Sequence, residues 1–215
     1  MVLTFLSDSY LRESASHILF FMSVIISVIA AYLLGSISFG LIIARKQKRI
    51  DIREYGSGNI GTTNVFRVVG KTAGILTLLG DGLKGSGAVL LAQGLAASAT
   101  AMSLAGLAVI LGHMFPVFSH FRGGKGVATG LGVFLVLMPW ATLLAGAIWL
   151  MCCLLWRYVS VASMTSALSL PMFGFFLGAG NSFVIVGVVI GLLIIWRHQD
   201  NLERLWQGTE SKIGR

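Results

Sequence analysis

Long apolar stretches separated by short polar segments dominate the chain. Four stretches of at least 31 residues contain no Asp, Glu, Lys or Arg: Ser14–Ala44, Gly85–Phe121, Gly126–Trp156 and Tyr158–Trp196. A helix needs about 20 apolar residues to cross the roughly 30 Å hydrocarbon core of a bilayer. The pattern therefore predicts an all-α integral membrane protein.

Division of these stretches at their turn-forming residues, with the second extended back to Ala73, gives seven spans. We predict Ile18–Ala44, Ala73–Ala96, Ala101–Phe118, Val127–Met138, Trp140–Trp156, Val159–Leu177 and Phe183–Trp196. The stretch Gly126–Trp156 would be about 46 Å long as one helix. Pro139 lies near its middle, and proline disrupts a helix interior but suits a first helical turn. It is predicted to end one short helix and begin the next.

The positions of Lys and Arg favour two spans around Pro139 over one. With two spans, fourteen of the 16 Lys and Arg residues fall on the same side of the membrane. Because cytoplasmic loops are rich in Lys and Arg, we expect seven spans with the N-terminus outside and the C-terminus inside. The predicted organisation is an N-terminal tail over residues 1–16 and a single membrane-embedded domain over residues 17–215.

Composition agrees with this membrane class. Only 11% of the residues are charged, against about 25% in soluble domains, and mean hydropathy is +0.87. The net charge of +8 is explained by the topology, so we expect no nucleic-acid partner. Cys152 and Cys153 are adjacent within an apolar run and are interpreted as packing residues.

Two charged residues lie inside the predicted second span. Asp81 and Lys84 are three residues apart, which places them on one helix face. Charges at membrane depth are costly and usually face the protein interior in pairs. Two interpretations stay open, namely an ion pair that orients the helix and one wall of a polar site.

Three polar segments carry candidate chemistry, and the predicted topology places them at the same membrane face. The first is Tyr55–Arg67, where three glycines stand among Ser, Asn and Thr. Glycines let a backbone turn its N–H groups toward one point, which forms a nest for anions. We interpret the segment as a phosphate-binding loop, and the alternative is a flexible cytoplasmic loop.

The second segment, Gly112–Thr129, contains Gly-Gly-Lys-Gly ahead of a predicted helix. Lys125 and the amides of a helix N-terminus suit an anion. The segment is not a P-loop, because that pattern needs Gly at position 119 and Ser or Thr at position 126, where this chain has Ser119 and Gly126. His113, taken alone, is interpreted as an interior histidine bonded to backbone.

The third segment closes the last span, with His198 and Asn201 three residues apart. They share a face if the helix continues, and the segment also suits an amphipathic helix at the interface, anchored by Trp206. No metal cluster or dinucleotide fingerprint is found in the sequence, so neither a metal nor a cofactor is predicted. Phosphate-type donors at a membrane surface indicate chemistry on a lipid substrate with an anionic headgroup.

These segments resemble motifs of the bacterial acyl-phosphate–glycerol-3-phosphate acyltransferases. The motifs are GSGNIGTTNVFR at residues 56–67, GHMFPVF and GGKGVAT within residues 112–129, and RHQDNLERL at residues 197–205. The resemblance extends from Ala31 to Ile213. It implies a seven-helix protein of the bacterial cytoplasmic membrane with its active site facing the cytoplasm. The implied reaction moves a fatty acyl group from acyl phosphate to the 1-hydroxyl of sn-glycerol 3-phosphate, giving lysophosphatidic acid and inorganic phosphate.

The resemblance also implies roles for individual residues. Glycerol 3-phosphate would be held by Arg67, Lys125, Ser163, His198 and Asn201, and all of these except Ser163 are also counted as catalytic. The acyl phosphate headgroup would be bound by Ser57, Asn59, Thr63 and Asn64, and His113 matches a further motif residue counted with the substrate-binding group. The expected partners are both substrates and membrane lipid, and the soluble enzyme that makes acyl phosphate is a candidate partner. In one departure, Ser38 stands where the family often has proline, which is predicted to alter a kink.

Competing functions remain open at this point. An acyl phosphate is already activated, so we expect direct transfer without an acyl-enzyme, with a substrate phosphate oxygen or His198 accepting the proton. The alternative is a membrane transporter of a phosphorylated solute, which the buried Asp81 and Lys84 would suit. A non-catalytic membrane subunit is a third possibility. The sequence shows no internal repeat of the kind found in many transporters, and this favours the enzyme.

Overall fold

Helices form the regular structure of the chain. The computed structural model describes the backbone of residues 2–214 and the side chains of residues 15–214. Its α-helices are α1 (Val2–Gly35), α2 (Phe39–Lys48), α3 (Thr62–Val68), α4 (Lys71–Ala96), α5 (Ala99–Met114), α6 (Val127–Leu137), α7 (Pro139–Trp156), α8 (Val159–Phe176), α9 (Asn181–Trp196) and α10 (Gln199–Trp206). Residues 2–214 contain no β-strand. The all-α prediction is confirmed, and it follows from the need to satisfy every backbone group internally in lipid.

Five helical segments are long and apolar enough to cross a membrane: Ala15–Lys48, Lys71–Ala96, Ala99–Ser119, Pro139–Trp156 and Val159–Phe176. A sixth is obtained if α9 and α10, which are bent by 52°, count as one span. Helix α6 has 11 residues, so it rises only about 16 Å. The membrane class is confirmed, while the count of seven and the orientation stay predictions.

The first predicted span, Ile18–Ala44, lies within the candidate span Ala15–Lys48, but it is not one continuous helix. Helix α1 ends at Gly35 and α2 begins at Phe39. The last carbonyls of a helix lack donors within that helix. Here the buried ammonium of Lys84 donates to the carbonyls of Gly35 and Ile37, at 2.8 and 2.7 Å. The interruption is therefore stabilised by a side chain from α4.

Two other boundaries depend on proline. The predicted division at Pro139 is confirmed, because α6 ends at Leu137 and α7 begins at Pro139. The predicted third span, Ala101–Phe118, agrees with the candidate span Ala99–Ser119, although the α-helix α5 within it ends at Met114. Phe115 precedes Pro116, and the helical conformation is disfavoured at a residue before proline because the proline ring clashes with it. Most of the predicted N-terminal tail, residues 1–16, lies outside the described part of the chain, because the side chains of residues 1–14 are not described.

Small residues let the helices approach closely. Helix α4 packs against α1, α5 and α6, while α8 packs between α7 and α9. A Cβ at Gly85 would collide with the Thr129 carbonyl, and one at Gly132 would collide with the Gly82 carbonyl. These glycines therefore bring α4 and α6 together, as is common in membrane helix pairs. The packing leaves the three polar segments beside one another at one end of the bundle.

Candidate active site

One polar cleft, with a volume of about 160 Å³, brings together residues from all three polar segments. It is lined by Ser57, Gly58, Asn59, Gly123, Lys125, Trp196, Arg197, Gln199, Asp200 and Arg204. Three positive side chains and one carboxylate are among them. The composition suits an anionic ligand better than a neutral one.

The side chain of Asn64 shapes the first loop of the cleft. Its Nδ2 donates to the carbonyls of Tyr55 and Asn59, at 3.0 and 2.8 Å, and its Oδ1 accepts from the Ser57 N–H at 3.0 Å. Asn64 is 2% exposed, and these bonds occupy the amide hydrogens and the carbonyl oxygen. The described contacts therefore assign Asn64 to positioning the loop around Ser57.

Asn59 strengthens the same loop. Its Oδ1 accepts from the Gly61 N–H at 2.7 Å, which closes a turn typical of Asn side chains. Gly56 and Gly58 have φ values of 61° and 70°, which only glycine adopts without strain. The predicted glycine-rich loop is thus an ordered structure that presents Ser57, Gly58 and Asn59 to the cleft.

Thr63 and Arg67 lie on α3, next to this loop. Both side chains are exposed, and neither lines the cleft. The described side chains therefore do not place Arg67 beside Lys125. Its predicted role in binding glycerol 3-phosphate stays a prediction.

The second loop is fixed from two sides. The Gly124 N–H donates to the His113 carbonyl at 3.1 Å. From the opposite side, Arg197 donates to the carbonyls of Gly123 and Gly124, at 3.1 and 3.2 Å. A Cβ at Gly124 would collide with His113 Nε2, so any other residue here would displace the buried His113 ring. The loop is therefore held in place directly before Lys125.

Lys125 belongs to a hydrogen-bond network that extends to the C-terminal segment. Its Nζ donates to Asn201 Oδ1. Asn201 Nδ2 in turn donates to Glu210 Oε1 at 2.6 Å. The same carboxylate accepts from Ser160 Oγ at 2.7 Å and from Arg204 Nε at 2.8 Å. Asn201 is thus oriented by Glu210 and orients Lys125.

The environment changes the ionisation of these groups. Burial, together with the positive charge of Arg204, lowers the pKa of Lys125 to about 8. Burial alone would raise the pKa of Glu210, but hydrogen bonds from Ser160, Arg204 and Asn201 outweigh it and lower that pKa. Lys125 therefore titrates close to physiological pH, whereas Glu210 is ionised there.

His198 is a neutral base beside the cleft. Burial and the charge of Lys125 lower the pKa of His198 to about 4. Its Nδ1 is 2.7 Å from the Ile194 carbonyl oxygen, and a carbonyl can only accept. The hydrogen of the neutral ring is therefore on Nδ1, and the lone pair is on Nε2.

Two predicted site residues lie behind the cleft. Ser163 Oγ accepts from Trp149 Nε1 at 3.2 Å, on the side of α7. His113 is buried in α5, with its Nδ1 3.6 Å from Asp81 Oδ1. Neither lines the cleft.

Sequence reasoning missed Ser160, Arg197, Arg204 and Glu210 as members of the site. Ser160 lies one helical turn before the predicted Ser163, and Arg197 and Arg204 stand within the third motif. Glu210 follows a turn at Gly208, with φ of 70°, and its partner Ser160 is 50 positions away. No local pattern signals such a contact. Among the described residues, no group of three or more His, Cys, Asp and Glu is arranged to hold a metal ion.

Comparisons with known proteins agree on one family. The family model described as glycerol-3-phosphate acyltransferase matches residues 25–208. The glycerol-3-phosphate acyltransferase of Nitrosospira multiformis is 48% identical over 198 residues, covering 90% of this chain and 98% of that protein. Its counterpart from Coxiella burnetii is 45% identical over 192 residues, covering 89% and 99%.

Solved structures give the same result. The crystal structure of PlsY (YgiH), an integral membrane glycerol 3-phosphate acyltransferase, is similar in its glycerol 3-phosphate form with a TM-score of 0.85 and 44% identity. The alignment covers 89% of this chain and 96% of that chain. A second form of the same protein, with lysophosphatidic acid, has a TM-score of 0.83.

Proposed function

The chain belongs to the glycerol-3-phosphate acyltransferase family, and from this premise we propose that it transfers a fatty acyl group from an acyl phosphate to glycerol 3-phosphate. The acceptor is the 1-hydroxyl, and the products are lysophosphatidic acid and inorganic phosphate. The protein is an acyltransferase that acylates glycerol 3-phosphate. The donor, the products and the position of the acyl group on glycerol are the proposed part.

The observation that carries this proposal is the cleft with two sets of phosphate donors at the end of an apolar bundle. The loop around Ser57 lines the cleft together with Lys125, Arg197 and Arg204. An acyl phosphate and glycerol 3-phosphate each bring one phosphate to the reaction. The hydroxyl of Ser57 and the side-chain amide of Asn59 suit one phosphate, and the cationic side chains suit the other.

The chemistry proceeds by direct transfer. The glycerol oxygen attacks the acyl carbonyl carbon, the bond from that carbon to the phosphate oxygen breaks, and phosphate leaves with its electron pair. The hydroxyl proton passes to His198 Nε2 or to a substrate phosphate oxygen. Alignment of the two substrates can lower the barrier by about 7–11 kcal/mol. Ping-pong kinetics or a trapped acyl-protein adduct would contradict direct transfer.

The proposed location of the cleft is the cytoplasmic face of a bacterial inner membrane. Most Lys and Arg residues belong to the segments that flank the cleft or connect to it, and such segments are usually cytoplasmic. Glycerol 3-phosphate is water-soluble, whereas the acyl chain stays in the bilayer. A cleft at the membrane surface lets the two meet without moving either across the membrane.

The test uses purified protein supplied with palmitoyl phosphate and glycerol 3-phosphate. We expect release of inorganic phosphate that requires both substrates. The competing function is transport of a phosphorylated solute. No phosphate release, combined with uptake of glycerol 3-phosphate into proteoliposomes, would contradict the enzyme and favour the transporter.

A further inference from the structure

A cluster of three buried side chains lies outside the cleft, next to the loop Gly123–Lys125, which we call the Gly-Gly-Lys loop. Lys84 Nζ is 2.9 Å from Asp81 Oδ1, and His113 Nδ1 is 3.6 Å from the same oxygen. All three residues are at most 3% exposed, and none lines the cleft. The sequence left two interpretations open for Asp81 and Lys84, and the geometry excludes a direct wall of the cleft.

The cluster is attached to the interruption between α1 and α2. Lys84 donates to the carbonyls of Gly35 and Ile37 there. The same interruption is bonded to the chain that follows α5, because the Val117 N–H donates to Ser36 Oγ at 3.3 Å. Ser38 Oγ also lies 3.3 Å from Ser119 Oγ. Helix α1, helix α4 and the segment leading to the Gly-Gly-Lys loop are thus joined around one point.

The cluster reaches the loop through His113. The His113 carbonyl accepts the Gly124 N–H at 3.1 Å, and the ring occupies the space beside the Gly124 Cα where a side chain would be. Gly123 also packs against the carbonyls of His113 and Met114, with which a Cβ at this position would collide. A shift or rotation of His113 would therefore move the loop, and Lys125 is the next residue.

We propose that Asp81, Lys84 and His113 are positioning residues. They hold the Gly-Gly-Lys loop in the position from which Lys125 reaches Asn201 and the substrate phosphate. Stability alone is a weak reason for such a cluster, because a buried ion pair often contributes no more than apolar residues of similar volume. Its attachment to the α1 interruption at one end and to the loop at the other gives it a geometric function. The inference rests on the proposed function for the identity of the substrate.

The first test replaces the ion pair by apolar side chains in the double variant Asp81→Leu/Lys84→Met. The matched control is Thr77→Val, since Thr77 is buried one turn earlier in α4 and its hydroxyl bonds only to the Ala73 carbonyl of its own helix. In the double variant we expect KM for glycerol 3-phosphate to rise roughly tenfold, with KM for palmitoyl phosphate changed by less than about twofold. The control should retain both values.

A purely structural role would produce a different result. It would lower the yield and the thermal unfolding temperature while the folded fraction kept the wild-type KM, and that outcome overturns the proposal. The second variant, His113→Phe, keeps a ring beside Gly124 but removes the contact with Asp81, and we expect it also to raise KM for glycerol 3-phosphate. If the double variant yields no folded protein, a wild-type KM for glycerol 3-phosphate in His113→Phe is sufficient to overturn the proposal.

Failure of the proposed function is distinguishable from failure of this inference. If wild type and Thr77→Val both lack acyl transfer, the proposed function fails for reasons independent of the cluster. Titration calorimetry with glycerol 3-phosphate then replaces KM as the readout. Weaker binding in the cluster variants than in the control supports the inference, and equal binding overturns it.

Discussion

At the scale of single residues, Lys125 combines a partly buried ammonium group with a loop that two neighbours hold in place. Its Nζ contacts Asn201, and the two glycines before it are fixed by His113 and Arg197. A lysine so placed loses little freedom when a phosphate binds, since most of the ordering cost is met when the protein folds.

Replacement of Lys125 by methionine tests this role directly. We expect Lys125→Met to lower kcat/KM for glycerol 3-phosphate roughly 100-fold, or about 2.7 kcal/mol, because the proposed phosphate contact loses its charge. The matched control is Lys46→Met, since Lys46 is exposed at the end of α2. Initial rates of phosphate release measure both. Normal turnover in Lys125→Met would remove Lys125 from the site.

The pKa of Lys125, about 8, predicts how the reaction depends on pH. The ammonium form exists below this pKa and is the form that binds phosphate. We therefore expect kcat/KM for glycerol 3-phosphate to fall as pH rises through about 8, because kcat/KM reports the free enzyme. The variant Lys125→Arg keeps its charge above pH 12, so its profile should lack this decline. The same decline in both proteins would assign the titration to another group.

Asn64 shows where motif reasoning stops at the residue scale. The resemblance predicts that Asn64 binds the acyl phosphate headgroup, but a motif cannot separate a residue that touches substrate from one that shapes the loop. Its backbone contacts decide this, because they occupy its hydrogen-bonding groups. These contacts depend on the backbone conformation of the loop, which includes the positive φ values of Gly56 and Gly58. A motif does not specify that conformation.

At the scale of elements, the segment after α10 completes the site. Ile213 is bonded to Arg157 at the α7–α8 connection, through the Ile213 N–H at 2.8 Å and the guanidinium at 2.6 Å. This attachment places Glu210 against Ser160 and Asn201. The C-terminal segment thus connects α8 to α10 and fixes the orientation of Asn201.

Removal of the Glu210 carboxylate should loosen this arrangement. In Glu210→Ala, Asn201 and Arg204 lose their acceptor, and an unpaired buried polar group costs about 1–3 kcal/mol. We expect a lower unfolding temperature and a higher KM for glycerol 3-phosphate. The matched control is Glu203→Ala on α10, whose exposed carboxylate contacts Gln207. If the two variants have equal KM values, Glu210 has no positioning role.

The elements also show which boundaries a sequence can give. Proline marks the end of α5 and the start of α7, because its effect on the backbone is local. The interruption after Gly35 has no such signal in this chain, because Ser38 occupies the position at which related sequences often have proline. Its stabilising donor, Lys84, lies nearly 50 positions along the chain. Boundaries set by distant partners require the tertiary structure.

At the scale of the whole molecule, hydropathy and charge predicted a helical membrane protein with its polar chemistry at one end. The motif resemblance correctly predicted the family. The three motifs do share one cleft, but only Ser57, Asn59 and Lys125 of the predicted side chains line it directly. Asn201 contacts Lys125, whereas Glu210 enters the site only through long-range packing.

The central claim is that this cleft joins an acyl group from acyl phosphate to glycerol 3-phosphate. Its most direct test is product analysis by mass spectrometry, with purified protein, palmitoyl phosphate and glycerol 3-phosphate. We predict 1-palmitoyl-glycerol 3-phosphate and inorganic phosphate in equal amounts, with formation of both strongly reduced in Lys125→Met. Phosphate release without the acylated product, or product formation unaffected by Lys125→Met, would contradict the account.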